Sequence, residues 1–118
     1  MAEAGSRPGL LLVMVDIDPA HEGDLNRWYE EEHIRERLSI PGFLRARRFV
    51  ALEGGPKYLA LYELASPDVL ESEEYRRWKT DAATEWTRRI EAQFKSFVRN
   101  VYVEISAAEA EPQRRPAG

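Results

Sequence analysis

The fold is decided by the stretch WYEEEHIRERLSIPGFLRARRF (residues 28–49), in which a helical pattern changes to a strand pattern. From Glu22 to Leu38 the sequence is rich in Glu, Arg and Leu and has no proline, which favours a helix. Ile40-Pro41-Gly42 then ends the helix, because proline lacks the backbone N–H that a helix needs. The sequence therefore predicts a helix followed directly by a strand, Phe43 to Leu52.

Outside this stretch the chain supplies three further strands and a second helix. The apolar run Leu10 to Ile17 predicts a strand covered on both faces. Lys57 to Leu64 predicts a strand that forms a hairpin with the one before it. After Ser66-Pro67-Asp68, apolar residues at three- and four-residue spacing predict a long helix, and a break near Thr80-Asp81 is left open. The stripe consists of Tyr75, Trp78, Ala82, Trp86, Ile90 and Phe94. The last strand is Phe97 to Ile105.

The order β-α-β-β-α-β predicts an α+β protein of the ferredoxin-like class, with a four-stranded antiparallel sheet and the helices on one face. The other sheet face then needs a cover, because alternation places Phe43, Phe49, Val101 and Val103 there. Two sheets paired face to face would bury this apolar area. We therefore expect a homodimer.

Composition and charge limit the class of protein. The chain has 118 residues, which fits one domain of about 100–150 residues. We place this domain at residues 9–106, between a flexible arm at 1–8 and a disordered tail at 107–118. The longest apolar run, Leu10 to Val15, is far shorter than the ~20 residues of a membrane span. With a net charge of −4, we expect a cytoplasmic protein with neither nucleic acid nor membrane partners.

Common metal and cofactor motifs are missing from the sequence. There is no cysteine, and the two histidines, His21 and His33, do not have the spacing of a transition-metal site. No glycine-rich nucleotide loop occurs either. We therefore expect no metal and no nucleotide cofactor.

The candidate site lies on the first helix. At about 100° per residue, Trp28, Tyr29, Glu32 and Glu36 share one face, and His33 lies at its edge. A carboxylate among aromatic rings is desolvated, which raises its pKa unless a cation lies nearby. We therefore expect a cation beside Glu32.

The second strand offers three arginines for this position. Alternation places Arg45 and Arg47 on one face and Arg48 on the other. If the helices cover the face of Arg48, its side chain points toward Glu32. The reverse assignment stays open, because both faces are apolar.

His33 suggests proton transfer, because an imidazole has an ordinary pKa of about 6.5. The helix C-terminus stabilises its protonated ring by ~0.3–1 kcal/mol, and Arg37, one turn later, opposes that charge. Asp16 at the end of the first strand is a second carboxylate candidate, and Tyr29 and Tyr62 could donate hydrogen bonds into a pocket. We expect an enclosed cavity of ~300 Å³ or more beside Glu32 and His33.

Each of these residues also has a purely structural interpretation. Glu32 could anchor its helix through an ion pair, and His33 could be a solvated residue at the helix edge. The arginines could be surface or interface charges, and Asp16 could end a strand or cap a turn. The sequence leaves these alternatives open.

The sequence resembles the dimeric α+β-barrel superfamily and, within it, EthD-like small proteins, over about Leu10 to Ile105. The segments that carry the resemblance are Asn26-Arg27-Trp28-Tyr29, Glu32-His33, Pro41-Gly42-Phe43, Arg45-Ala46-Arg47-Arg48-Phe49 and Tyr58-Leu59-Ala60-Leu61-Tyr62-Glu63. The resemblance implies a homodimer with a pocket between sheet and helices in each subunit. Relatives include cofactor-independent isomerases, polyketide cyclases, quinone-forming monooxygenases and haem-binding enzymes. It also implies a proton-transfer role for His33, which precedes the Pro-Gly-Phe turn.

We expect a cofactor-independent enzyme that isomerises, cyclises or eliminates from a small carbonyl-containing, aromatic or polyketide-like molecule. His33 would be the general acid or base, with Glu32 beside it. The substrate-binding candidates are Tyr29, Arg47, Arg48, Asp16, Tyr62 and Trp28, of which the arginines would hold an anionic group and the tyrosines an oxyanion. One alternative is a non-catalytic ligand-binding dimer in which Glu32 and Arg48 form only an ion pair. The other is a haem- or oxygen-dependent monooxygenase-like enzyme with His33 as haem ligand.

Overall fold

A four-stranded antiparallel sheet forms one layer of the molecule. The computed structural model describes residues 7–80 and 82–112. Its strands are β1 (Gly9–Ile17), β2 (Phe43–Val50), β3 (Tyr58–Leu64) and β4 (Phe94–Val103). They lie in the order β2-β3-β1-β4, and each neighbouring pair is antiparallel. This is the ferredoxin-like arrangement, and the predicted α+β class is confirmed.

The first helical segment is continuous and contains a π-helical turn. Asp18 caps α1 (Pro19–Trp28) by accepting the Ala20 N–H at 2.9 Å, and Pro19 occupies its first turn. The π-helical turn Tyr29–His33 connects α1 to α2 (Ile34–Leu38). The predicted helix is therefore present, but it does not keep a constant α-helical phase.

The second helical segment is divided into two short helices. A 3-10 turn, Pro67–Glu71, precedes α3 (Glu73–Lys79), and α4 (Glu85–Glu91) follows. Each helix has its own cap: Ser72 accepts the Tyr75 N–H, and Thr84 accepts the Thr87 N–H at 3.1 Å. Asp81, one of the two residues at which a break was left open, lies outside the described residues. Within the described ranges, no helix is long and apolar enough to cross a membrane.

The core forms where the helices cover alternate residues of the two central strands. The residues with almost no exposed surface are Leu11 and Val15 of β1, Tyr62 and Leu64 of β3, Leu25 and Trp28 of α1, Ile40, and Ile90 of α4. Burying side chains of this size stabilises the fold by about 1.5–3 kcal/mol each. The functional candidates therefore sit beside a well-packed core.

The alternation predicted for β2 fails at its first residue. Phe43 pairs with Leu64 but Arg45 pairs with Glu63, so Leu44 is an extra residue in the strand. This bulge places Phe43 under the helices, with 6% of its surface exposed. The prediction that Phe43 lies on the open sheet face was wrong, whereas Phe49 does lie there beside Arg47.

The predicted phase of β4 was also wrong. Val101 pairs with Leu11 and Val103 with Gly9, so both lie on the face that the helices cover. The open face is nevertheless apolar; its residues include Leu10, Leu12, Met14, Phe49, Leu59, Leu61, Val98 and Tyr102. This face therefore still presents apolar side chains that a partner could cover, although most of them are not the residues that the sequence predicted.

The predicted arm and tail are only partly described. Residues 1–6 and 113–118 lie outside the described ranges. At the start of the described chain, the Pro8 carbonyl accepts the Glu104 N–H at 2.8 Å. The boundaries of the arm and the tail stay predictions.

Candidate functional site

A small cleft lies between the helices and the sheet. Its volume is about 60 Å³, and β4 contributes Phe94, Phe97 and Arg99 to its lining. Its polar walls come from His33, Arg37, Tyr29, Tyr62, Tyr75, Lys79, Glu91 and Arg99, and its apolar walls from Leu11, Val13, Trp28, Phe94 and Phe97. The expected cavity of ~300 Å³ was wrong in size. Four large aromatic residues, Trp28, Tyr29, Tyr62 and Tyr75, line the cleft and are almost fully buried.

The π-helical turn brings Tyr29 and His33 into this cleft. The Ile34 N–H donates to the Tyr29 carbonyl, five residues earlier, so the turn holds one residue more than an α-helical turn. The extra residue moves His33 from the edge of the helical face to its centre, where only 7% of its surface is exposed. Single π-helical turns of this kind are frequent at functional sites.

His33 is enclosed by aromatic rings. Its imidazole stacks on Trp28 with ring centres 4.1 Å apart, and Tyr29 and Tyr62 approach it edge-on at 5.4 and 6.5 Å. Burial, together with the Arg37 cation, holds the pKa of His33 well below 6.5. The expected stabilisation of the protonated ring is therefore outweighed, and His33 is neutral at pH 7. The solvated alternative does not fit this burial.

Three buried polar atoms around the cleft have no hydrogen-bond partner among the described residues. They are His33 Nδ1, Arg37 Nη1 and the Tyr62 hydroxyl. Such groups cost about 1–3 kcal/mol each when left unpaired, and native proteins keep few of them. Burial also raises the pKa of Tyr62 well above 10, so its hydroxyl keeps its proton and can donate. The cleft is therefore suited to a polar molecule.

Glu32 adjoins the cleft but does not line it. Its carboxylate accepts hydrogen bonds from the hydroxyls of Thr84 at 2.6 Å and Thr87 at 3.2 Å. Thr87 in turn accepts the indole N–H of Trp28 at 3.0 Å. Glu32 thus anchors the first helix to α4, although through threonines rather than through the arginine considered from the sequence.

Glu36 is the carboxylate nearest to His33 among the described residues. Its Oε1 lies 3.9 Å from His33 Nδ1. Burial and the neighbouring charge of Glu32 raise the pKa of Glu36 to about 7. The sequence placed Glu36 on the same helical face as Glu32 but gave it no role.

Arg48 points toward the helices but does not reach Glu32. Its guanidinium lies 4.3 Å from the centre of the Tyr29 ring and donates to Asn26 Oδ1 at 2.8 Å. Its ion pair is with Glu30, at 3.4 Å. The expected pairing with Glu32 was wrong, because Glu32 turns toward α4. Arg48 therefore packs against the ring of Tyr29.

Arg47 and Asp16 lie away from the cleft. Arg47 is on the open sheet face, 3.7 Å from Glu63. Asp16 pairs with Ser96 in the register, also on the open face, and accepts its hydroxyl at 2.7 Å; its other oxygen accepts the Lys57 N–H at 2.7 Å. The structure thus brings together His33, Tyr29, Tyr62 and Trp28, with Glu32 at the border. Arg48 contacts Tyr29 but does not line the cleft, and Arg47 and Asp16 lie on the open sheet face.

The sequence reasoning did not assign Arg37, Tyr75 or Arg99 to the site. Arg37 is 8% exposed, and its guanidinium lies 5.3 Å from the centre of the Tyr75 ring. Arg99 donates to the Tyr75 hydroxyl at 3.1 Å. The available signal for Arg37 was its position four residues after His33, which places it on the same helical face.

Solved structures of similar fold come from several bacteria and one uncultured source. A dimeric ferredoxin-like protein from an uncultured marine organism has a TM-score of 0.67 and 14% identity, covering 92% of this chain and 97% of its own. A candidate antibiotic biosynthesis monooxygenase from Bordetella bronchiseptica has a TM-score of 0.65 and 11% identity, covering 85% and 99%. A NIPSNAP family protein from Agrobacterium tumefaciens str. C58 has a TM-score of 0.63 and 15% identity, covering 92% and 95%. At these identities the likeness shows the fold alone.

Comparison at the level of sequence gives one family. No curated protein matches the chain. The model of a family described as a domain of unknown function, DUF4286, matches residues 9–99, which include all four strands up to Arg99 and the whole cleft. The chain therefore belongs to the DUF4286 family.

Proposed function

We propose that this protein is a cofactor-independent enzyme that transfers a proton on a small carbonyl-containing molecule, with His33 as the general base. The observation that carries the proposal is a neutral, buried imidazole beside two other unpaired polar groups in one cleft. A base has to be unprotonated at the working pH, and burial keeps His33 in that form. Perturbed titratable groups in a cleft are typical of functional sites.

The proton transfer divides between two side chains. His33 accepts a proton from the carbon beside the carbonyl, and the electron pair of the broken C–H bond moves onto the carbonyl oxygen. The Tyr62 hydroxyl donates a hydrogen bond to that oxygen while its charge develops. Return of the proton to the same carbon completes an exchange, and its return to another carbon completes an isomerisation. In a cyclisation the enolate carbon instead attacks a second carbonyl of the same molecule, and the oxygen of that carbonyl takes the proton from His33. Glu32 holds the helix that presents His33 and does not touch the substrate.

The volume of the cleft limits what can enter it. A space of about 60 Å³ accepts a group equal to a few water molecules, at ~10–15 Å³ each. Only the reacting end of a substrate fits there, so the rest extends toward Phe97, which is 54% exposed. An aromatic or polyketide-like body would stack on this ring.

A second copy of the chain is the proposed partner. The open face of the sheet carries a continuous set of apolar side chains, and large exposed apolar patches mark protein–protein contacts. An isologous pair of sheets would cover it in both copies. A dimeric ferredoxin-like protein of similar fold supports this assembly. From the sequence we also propose that the protein is EthD-like and that it is cytoplasmic.

Hydrogen–deuterium exchange tests the proposed chemistry. Small ketones and keto acids are incubated with the protein in D₂O, and loss of the C–H signal beside the carbonyl is followed by NMR. General base catalysis contributes ~10²–10⁴-fold, so His33→Gln should reduce the exchange rate at least about tenfold. His21→Gln is the matched control and should leave the rate unchanged. Equal rates for the wild type and both variants would remove His33 from the reaction and favour a non-catalytic binding module.

A monooxygenase-like enzyme is the second candidate. The description of the Bordetella bronchiseptica protein of similar fold favours it. Its distinguishing measurement is oxygen consumption with an electron-rich phenol, which the proposed proton transfer does not require. A haem at His33 does not fit, because the cleft of about 60 Å³ is far below the ~300–1,000 Å³ of cofactor pockets.

A further inference from the structure

We infer that Arg37, Lys79 and Arg99 form an anion subsite at the mouth of the cleft, so that the substrate is a carboxylate whose reactive carbonyl lies close to its charged group. The inference rests on the proposed function for its reaction, but the binding of the anion can be measured without any turnover.

Arg37 is the centre of the subsite. It is more than nine-tenths buried, and its Nη1 atom has no hydrogen-bond partner among the described residues. No carboxylate of the described chain lies within 4 Å of it, although eight ion pairs of lysine or arginine form elsewhere in that part of the chain. Arginine is rarely buried without a partner, because removing its charge from water is costly. Arg37 lines the same cleft as His33.

Two more cations surround the ring on which Arg37 lies. Lys79 Nζ lies 5.6 Å from the centre of the Tyr75 ring, and Arg99 donates to the Tyr75 hydroxyl at 3.1 Å. Three different elements, α2, α3 and β4, thus direct one cation each toward Tyr75. Among the described cleft residues, Glu91 is the opposing carboxylate. The charges of Arg37 and Lys79 act on Glu91, and that of Arg37 also acts on Glu36 next to the cleft. Three cations against these two carboxylates leave a positive balance, in contrast with the net charge of −4 of the whole chain.

The subsite chemistry favours a carboxylate over a neutral polar group. The planar guanidinium of Arg37 can donate two parallel hydrogen bonds to a carboxylate, and such charge-assisted pairs are about twice as strong as neutral ones. Because Arg37 and His33 both line a cleft of about 60 Å³, we expect the carboxylate and the reactive carbon to be separated by only a bond or two. A 2-oxo or 3-oxo acid meets this requirement.

Paired probes test the subsite. Pyruvate and butane-2,3-dione have the same heavy-atom skeleton, but only pyruvate is charged. Each is titrated into ¹⁵N-labelled protein, and the shifts of the backbone amides of Tyr29–His33 are followed. We expect pyruvate to bind about tenfold or more tightly than the dione, and this preference to shrink with added salt. Equal affinities, or no binding of pyruvate, would overturn the subsite.

Variants assign the binding to Arg37. Arg37→Met should reduce pyruvate affinity about tenfold or more and leave the dione unchanged, whereas Arg35→Met, on the exposed side of the same helix, should change neither. If Arg37→Met does not fold, the double variant Lys79→Gln/Arg99→Gln, which alters only exposed side chains, should weaken pyruvate binding alone. Equal pyruvate affinity in the folded Arg37 and Arg35 variants would contradict the inference.

The two proposals can fail separately. His33 is neutral, so His33→Gln should keep the preference for pyruvate over the dione. Intact pyruvate binding without any exchange activity would leave the subsite standing and contradict the proposed function. Exchange activity that depends on His33 but shows no preference for acids would support the proposed function and contradict the subsite.

Discussion

The hydroxyl of Thr87 supports the ring on which His33 stacks, and its removal gives the sharpest stability prediction. Trp28 donates its indole N–H to Thr87 at 3.0 Å, and the two residues are only 1% and 5% exposed. Thr87→Val keeps the shape of the side chain but leaves this N–H buried without an acceptor. An unpaired buried donor costs about 1–3 kcal/mol. Glu32 keeps its shorter bond to Thr84, at 2.6 Å, so we assign little of the loss to the carboxylate.

The expected loss is about 2 kcal/mol in the free energy of unfolding, with a Tm lower by about 6–12 °C for a chain of this size. Guanidinium unfolding followed by circular dichroism measures it. Thr80→Val is the matched control, because Thr80 is exposed, and it should cost less than about 0.5 kcal/mol.

A double-mutant cycle identifies the source of the loss. In a Trp28→Phe background there is no indole N–H to leave unpaired, so Thr87→Val should cost much less there than in the wild type. An equal cost in both backgrounds, or a loss below about 0.5 kcal/mol in the wild type, would show that this hydrogen bond does not support the site.

Two further predictions concern pH and assembly. Because the pKa of Glu36 is raised from 4.5 to about 7, the stability it contributes is present below pH ~4.5 and lost as the pH rises through about 7. Glu36→Gln should therefore be more stable than the wild type at pH 8 by about 1–2 kcal/mol, after allowance for solvent screening, and should lose this advantage near pH 4. Urea unfolding at both pH values measures the difference, and a difference that does not change with pH would contradict the prediction. Leu12→Asp, at the centre of the open sheet face, should convert the proposed homodimer to monomers in analytical ultracentrifugation, whereas Leu52→Asp, in a 96% exposed loop position, should not; a Leu12→Asp dimer would refute the assembly.

The order of elements could be predicted from sequence because each element has a strong local signal. Pro19 and Asp18 start a helix, Pro41 and Gly42 end it, and the runs after Gly9 and Lys57 form strands. The phase within an element was harder. One extra residue, Leu44, reverses the faces of the start of β2, and nothing in the local composition marks it.

The site depends on a similar one-residue change of phase. The π-helical turn moves His33 toward Tyr29, and an ideal helical wheel cannot show it. The partners of Glu32 come from Thr84 and Thr87, more than fifty residues away, so their contact depends on the packing of α4 against α1. The spacing of Arg37 from His33 does indicate that the two share a helical face, whereas no local pattern indicates the contacts of Glu32.

Titration of the His33 imidazole in the intact protein tests most directly whether the cleft holds a neutral base. Two-dimensional ¹H–¹⁵N spectra of the ring nitrogens across the pH range, assigned by comparison with His33→Gln, report its protonation. We expect the ring to stay neutral at pH 7 and to take up a proton only well below pH 6.5, because burial and Arg37 both lower its pKa. A His33 ring that titrates at or above the ordinary value of about 6.5 would contradict both its buried environment and its role as a base.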